Sequence, residues 1–332
     1  MHVGAALSTL VVMALALGSL ATIAAAEAQR DRKIPRVGTL MIGSPSAAKP
    51  YVEGFAQGLR ELGYREGENV TVEYRYTEGK ADELHAAAAG LVLAEVDVIV
   101  AWGTPAVAAA KRATRALPIV FVAVGDPVGT GLIASLTKPG GNVTGLTNMS
   151  AELSAKQLEL LREVVPALTR VAVLRNPVNP VSAPQLKWTS LAAGPLNLQL
   201  QVIDVRAPGE LETAFLAATR EKAGAMTVLA DPMFLGHRAR IAELALRSRL
   251  PTTFNWRQYV DAGGLIAYGP SLEELWRRAA TFVDRILKGA RPADLPVEQP
   301  TKLELVINMK TARALALTIT PSLLLRADQI LE

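Results

Sequence analysis

No cysteine occurs in the 332 residues, so no disulfide, thiolate metal site or lipidated N-terminal cysteine is open to this chain, and its stability must come from apolar burial. Histidine is almost as scarce. Of the three, His2 stands at the N-terminus, and neither His85 nor His237 has a second metal ligand three or four residues on, which speaks against a helix-borne metal site. Aromatic residues make up only 5%, fewer than an aromatic-rich β-sandwich would use, whereas Ala, Leu and Val dominate, as in helices packed on sheets. Charge of one sign is also lacking in quantity: 35 basic and 31 acidic residues are interspersed, and no basic run resembles a nucleic-acid arm or polybasic membrane anchor. No phosphate-binding G-x-x-x-x-G-K-[ST] and no G-x-S-x-G nucleophile elbow occurs, and no G-x-G-x-x-G opens a βαβ unit.

What is present begins with "ALSTLVVMALALGSLATIAAA", an apolar run ending in small residues. Ala24-Ala25-Ala26 and Ala26-Glu27-Ala28 both fit an A-x-A cleavage pattern, so residues 1–28 are expected to be a secretory signal cut near Ala26 or Ala28, leaving the protein in the periplasm. The competing reading is a retained membrane anchor, because the run is about long enough to span a bilayer.

From residue 35 apolar strands and amphipathic helices alternate. "RVGTLMI", "VTVEYRY", "VDVIVAW" and "LPIVFVAV" read as strands, separated by "YVEGFAQGLRELGY", "ADELHAAAAGLVLAE" and "TPAVAAAKRATRA" as helices. In the first helix Phe55, Leu59 and Leu62 form one apolar stripe. After a glycine- and proline-rich stretch, strands and helices resume in a second half of the same architecture. "ARPADLPVEQPT" breaks helix and reads as an extended crossing segment. Length and pattern predict an α/β protein of two similar lobes with parallel sheets.

Ligands of open parallel sheets gather at the carboxyl ends of strands. Those ends carry Gly43-Ser44-Pro45-Ser46, Trp102-Gly103-Thr104-Pro105 and Gly125-Asp126-Pro127 in the first half. In the second they carry Asn176-Pro177-Val178-Asn179, Asp231-Pro232-Met233-Phe234 and Asn255-Trp256. Short uncharged polar groups with two aspartates suit binding better than turnover: free N–H groups at helix starts favour a carboxylate or phosphate, and a facing aspartate suits an ammonium. Equally, Thr104, Asp126 and Asp231 are types that merely cap helices or turns.

The segments "PIVFVAVGDPVGTGLIASLTKPGGNVTGLTN", "KQLELLREVVPALTRVAVLRNP" and "GGLIAYGPSLEELWRRAATFVDRILKGARPADLPVEQPTKLELVINMKTARALALTI" resemble the ABC transporter substrate-binding protein family related to tryptophan/tyrosine-type periplasmic receptors. The likeness spans nearly all of the chain after the signal. It implies a type I periplasmic-binding (Venus flytrap) fold, two Rossmann-like lobes joined by three crossings, the glycines and prolines after Gly125 leading into the first; the lobes, residues 35–145 plus about 269–297 and residues 146–268 plus about 298–332, would close on a small molecule and deliver it to ABC permease subunits. It further implies a monomer without cofactor, catalytic residue, metal or nucleic-acid partner. The ligand, an amino acid or related compound, would meet Ser44, Trp102, Gly103, Thr104, Asp126 and Pro127 from the first lobe and Asn176, Asp231, Asn255 and Tyr268 from the second. The alternatives are a secreted α/β enzyme acting on a small polar substrate, which would need a nucleophile or metal, and a regulator of similar fold, which would need a DNA-binding head.

Overall fold

A computed structural model describes residues 34–332, and the expected signal at 1–28 lies outside them. In the first lobe the order is β1 (Arg36–Met41), α1 (Pro45–Glu61), β2 (Thr71–Tyr76), α2 (Leu84–Leu93), β3 (Val98–Trp102), α3 (Gly103–Ala113), β4 (Ile119–Val124) and β5 (Val143–Thr147). These five strands pair in parallel in the order β2-β1-β3-β4-β5. Central β3 and β4 are buried along their whole length, as expected of apolar strands covered on both faces, while edge strand β2 alternates with Glu73 and Arg75.

The second lobe begins with α4 (Ser150–Val164), β6 (Arg170–Arg175), α5 (Ser182–Ala193), β7 (Gln199–Asp204), α6 (Leu211–Arg220) and β8 (Ala225–Val228). It goes on through α7 (Pro232–Gly236), α8 (Arg238–Arg247), β9 (Thr252–Phe254), α9 (Arg257–Asp261) and β10 (Ile266–Gly269). After α10 (Leu272–Leu287) come β11 (Glu304–Asn308), α11 (Met309–Ala314), α12 (Pro321–Arg326) and β12 (Gln329–Leu331). The sheet runs β7-β6-β8-β9-β10-β11-β12, so its first five strands repeat the order of the first lobe; the β10–β11 pairing is antiparallel, and β11 and β12 run parallel to each other against the other five.

Two helices are exchanged between the lobes. The chain leaves β5 and packs α4 against α5 of the second lobe; it leaves β10 and packs α10 against α1 of the first. In α10 the apolar side chains Leu272, Leu275, Trp276, Ala279, Val283 and Ile286 recur on one face, and all are buried. Trp276 meets Phe55 edge to face with ring centroids 6.0 Å apart. The third crossing, after residue 294, runs beside the first: the Glu298 N–H donates to the Gly145 carbonyl and the Glu298 carbonyl accepts from Thr147, both at 3.0 Å.

Two expectations are corrected here. Leu62 does not complete the α1 stripe, because the helix ends at Glu61; Tyr51, Phe55 and Leu59 are buried, and Leu62 is exposed. The glycine-rich stretch after Gly125 does not lead directly into a crossing either. It loops back to form β5, in which a Cβ on Gly145 would fall 2.1 Å from the Phe121 carbonyl oxygen, so the strand pairs closely only because this residue has none.

Tyr64, just past α1, donates from its hydroxyl to Asp284 Oδ1 of α10 at 3.0 Å. Burial, then this hydrogen bond, pushes the phenol up to about 12. Because the folded value exceeds the unfolded one near 10, the stability is whole below about pH 10 and is lost as pH rises through about 12. Tyr64→Phe is expected to flatten this part of the alkaline decline. Denaturant midpoints of both proteins measured from about pH 9 to 12 check it, and parallel declines would dissociate Tyr64 from the effect.

Candidate functional site

Residues following β3, β4 and β5 in one lobe and β6, β8 and β9 in the other line one narrow, nearly closed cavity, with space for little more than one water molecule. From the first lobe come Trp102, Gly103 and Thr104 at the start of α3, and Ala123 and Gly125 around the end of β4. Asn148 and Ser150 join them from the turn into α4. Facing them are Asn179 and Val181 ahead of α5, Ala230 and Pro232 after β8, and Trp256 after β9.

Local chemistry explains how this lining is held. β4 ends in a bulge, with the register shifting between Val122 and Val124 and Ala123 in the left-handed region at φ 57°. The carbonyls around the bulge are satisfied by side chains after β5: Asn148 Nδ2 donates to Ala123 at 3.1 Å and Thr147 Oγ1 to Val124 at 2.7 Å. Asn148 Oδ1 in turn accepts from the Ser150 N–H at 3.0 Å and fixes the entry to α4. Trp102 is backed by Tyr51, with ring centroids 5.2 Å apart. Helix α3 has no side-chain cap and no acid in its first turn, so its positive end is not offset there.

Asp231 organises the second lobe's contribution. Its Oδ1 caps α7, accepting from the N–H groups of Met233 at 2.8 Å and Phe234 at 3.2 Å. Its Oδ2 accepts from Asn179 Nδ2 at 2.8 Å and Asn176 Nδ2 at 3.2 Å. Burial pushes this carboxyl's pKa up, and the four N–H donors pull against that. Asn179 Oδ1 accepts from the Val181 N–H, so the asparagine is fixed from both ends.

The structure brings Trp102, Gly103 and Thr104 together in the cavity lining and leaves the other sequence-derived candidates outside it. Ser44 caps α1, its Oγ accepting from the Ala47 N–H at 3.3 Å. Asp126 is half-buried in a turn: its Oδ1 accepts from Gly129 at 2.7 Å, and its carbonyl accepts from the Thr130 N–H. The buried Pro127 continues that turn, accepting from Leu132 and Ile133. Asn176 and Asp231 stand behind Asn179 as supports. Asn255 is buried beside the lining residue Trp256, and Tyr268 is half-buried against the Leu160 and Leu305 cluster. The sequence-derived set omitted Asn148 and Ser150, because the strand they follow is masked by Gly145, and Ala123, because nothing local announces a bulge.

Two buried polar atoms of the lining have no partner among the described residues, Ser150 Oγ and Trp256 Nε1. Paired polar groups are the rule in protein interiors, so these two atoms call for a partner inside the cavity, a bound water or a ligand.

Residues 37–331 match the family model described as ABC transporter substrate binding protein. The chain belongs to that family. Among its relatives is a tyrosine-binding protein of Clostridioides difficile, 28% identical over 264 residues, which are 79% of this chain and 75% of that one. Two solved structures superpose with a TM-score of 0.85 each over 90% of this chain and all of theirs. One is a conserved domain protein of Vibrio cholerae, at 28% identity; the other is an ABC domain of Streptococcus pneumonia in complex with L-Trp, at 27%. With these neighbours, the two mostly parallel sheets are a type I periplasmic-binding fold.

Proposed function

We propose that this substrate-binding protein is the extracytoplasmic receptor of an ABC importer, holding one small molecule between its lobes as a monomer and presenting it to membrane permease subunits. The observation that carries this reading is the cavity itself: both lobes line it, and it presents the buried, unpartnered Ser150 Oγ and Trp256 Nε1. Family membership supports delivery to a permease, and the named relatives support an amino acid or related compound as cargo. The lining residues include no histidine, lysine or carboxylate that would serve Ser150 as a base, which favours binding over turnover. No helix among the described residues is long and apolar enough to cross a membrane. The signal expected at residues 1–28 gives the exported chain a start at Glu27 or Gln29.

Native mass spectrometry of protein isolated from its own periplasm is expected to show one retained small molecule per chain. Adding that molecule back to refolded protein should raise the Tm, by roughly 2.7 kcal/mol of stabilisation at a hundredfold excess over Kd, and should compact the chain in solution scattering. Chemical conversion of the molecule by the purified protein, or its binding away from the cavity, would overturn the reading.

A further inference from the structure

The end of the first lobe remote from the cleft carries a patch of one sign. Between Val98 and Ala151 the chain has four cations, Lys111, Arg112, Arg115 and Lys138, against one carboxylate, Asp126. Asp126 follows the carboxyl end of β4, whereas three of the cations gather at the other end of the sheet, where α3 finishes and β4 starts. Lys111, Arg112 and Arg115 line an open hollow there with Leu132 and Asn142, and no carboxylate is in its lining. The hollow is built into the fold. Lys111 Nζ donates to the carbonyls of Gly131 at 2.9 Å and Leu132 at 2.8 Å, and Asn142 Nδ2 to those of Thr114 at 3.2 Å and Leu117 at 2.8 Å, which ties the loop between β4 and β5 to α3. Those partners are neutral, so the charge of Lys111 is not offset.

Arg112, Arg115 and Lys138, the last in the loop leading to Asn142, are exposed and form no ion pair among the described residues. The helix dipole accounts for cations in the last turn of α3, Lys111 and Arg112. It does not account for Arg115 and Lys138, which lie outside the helix. An apolar side chain accompanies them: α2 and α3 pack side by side and follow parallel strands of one sheet, so they finish at the same end, and Leu93, the last residue of α2, is 83% exposed. Of the carboxylates near this face, Asp97 accepts from the Arg36 N–H at 2.7 Å and Asp294 from Arg291, while Glu95 is exposed. β1 also starts at this end, and the sequence just ahead of it holds Arg30, Arg32 and Lys33 against the single acid Asp31.

We propose that this end of the first lobe docks on an anionic lipid bilayer, with Lys111, Arg112, Arg115 and Lys138 meeting the phosphate headgroups and Leu93 entering the interface. Clustered cations are attracted to the negative potential of such a surface, and an apolar side chain adds a second, weak hold, so the contact is reversible. No basic run announces this surface in the sequence, because the fold gathers it from a helix end and a separate loop. The cleft lies at the opposite ends of the strands, so a docked molecule stays near the membrane with its cleft clear of the lipid. The inference concerns a second surface and is independent of what the cleft holds.

Flotation of the protein isolated from its own periplasm with phosphatidylcholine vesicles, plain or containing about 30% phosphatidylglycerol, tests it. Binding is expected only to the anionic vesicles, falling about 10-fold or more as salt rises from about 50 to about 300 mM. Arg112→Gln with Arg115→Gln should weaken it by about 10-fold or more, and Leu93→Ser by a few-fold, with the Tm of either variant near that of wild type. Lys187→Gln with Arg220→Gln removes the same charge from exposed positions of the second lobe and should leave binding as in wild type. Equal binding to both vesicles, no flotation at the lower salt, or a loss in the second-lobe variant as large as in the Arg112 and Arg115 variant overturns the proposal. So does release from the vesicles by an equal phosphate concentration of glycerophosphoglycerol, the headgroup without its acyl chains, since the hollow would then take a free anion and not a lipid surface.

Discussion

Gly125→Ala is expected to weaken ligand capture by roughly 10- to 100-fold while each lobe stays folded. A Cβ at this position would lie 2.3 Å from Ser150 Oγ and 2.5 Å from Val181 Cγ2. Val181 belongs to the facing lobe, and Ser150 begins the helix that packs there, so the added methyl acts as a wedge across the closed cleft. Overpacking of this kind costs about 1–3 kcal/mol, and each 1.4 kcal/mol is tenfold in affinity. Gly125 is not among the residues at positive φ, so alanine suits its backbone, and opening the lobes relieves the clash without unfolding either. Calorimetry with the retained ligand, together with scattering at saturation, is the check. The variant should bind weakly and compact less than wild type, with a ligand-free Tm near that of wild type. Affinity within twofold of wild type would show that the lobes do not close onto Gly125.

The same wedge position shows what the sequence could and could not reveal. "VDVIVAW" and "LPIVFVAV" are legible as buried strands because apolarity and β-branching persist over their length, and their ends lead to Gly103, Thr104 and Gly125, all in the cavity lining. Asn148 and Ser150 escaped because Gly145 interrupts the pattern of β5, and the reason for that glycine is a backbone neighbour, Phe121, 24 positions away in sequence. The two aspartates make the point more sharply. Asp126-Pro127 and Asp231-Pro232 follow strands in the same way, yet one carboxylate braces an exposed turn and the other is buried under four donors. What separates them is a pair of asparagines more than 50 positions from Asp231, a contact that no local pattern encodes.

Asp231→Asn is therefore expected to destabilise the protein, although it removes a buried charge and nearly preserves shape. Two effects compete. Burial disfavours the carboxylate, as the upward displacement of its pKa indicates, so if desolvation governed, a neutral amide would be neutral or stabilising. Against this stand four hydrogen bonds accepted by the two oxygens, each of the charge-assisted kind that contributes about 1.5–3 kcal/mol. An asparagine places an NH2 group where one oxygen stood, so donors meet donors: either the start of α7 loses its cap, or Asn176 and Asn179 lose their anchor. With at least two bonds lost and one charge relieved, the net cost is about 2–4 kcal/mol, or roughly 3–6 °C in Tm for a chain of this size. Affinity should fall as well, by about 10-fold, because Asn179 lines the cavity and is held there by this carboxylate. Thermal unfolding and calorimetry on Asp231→Asn, Asn179→Ala and the double variant separate the two effects. The double variant should lose clearly less stability than the two single losses added, since the singles break the same bond. An Asp231→Asn protein as stable as wild type would mean that burial of the charge outweighs its four partners, and that Asn179 is positioned by other means.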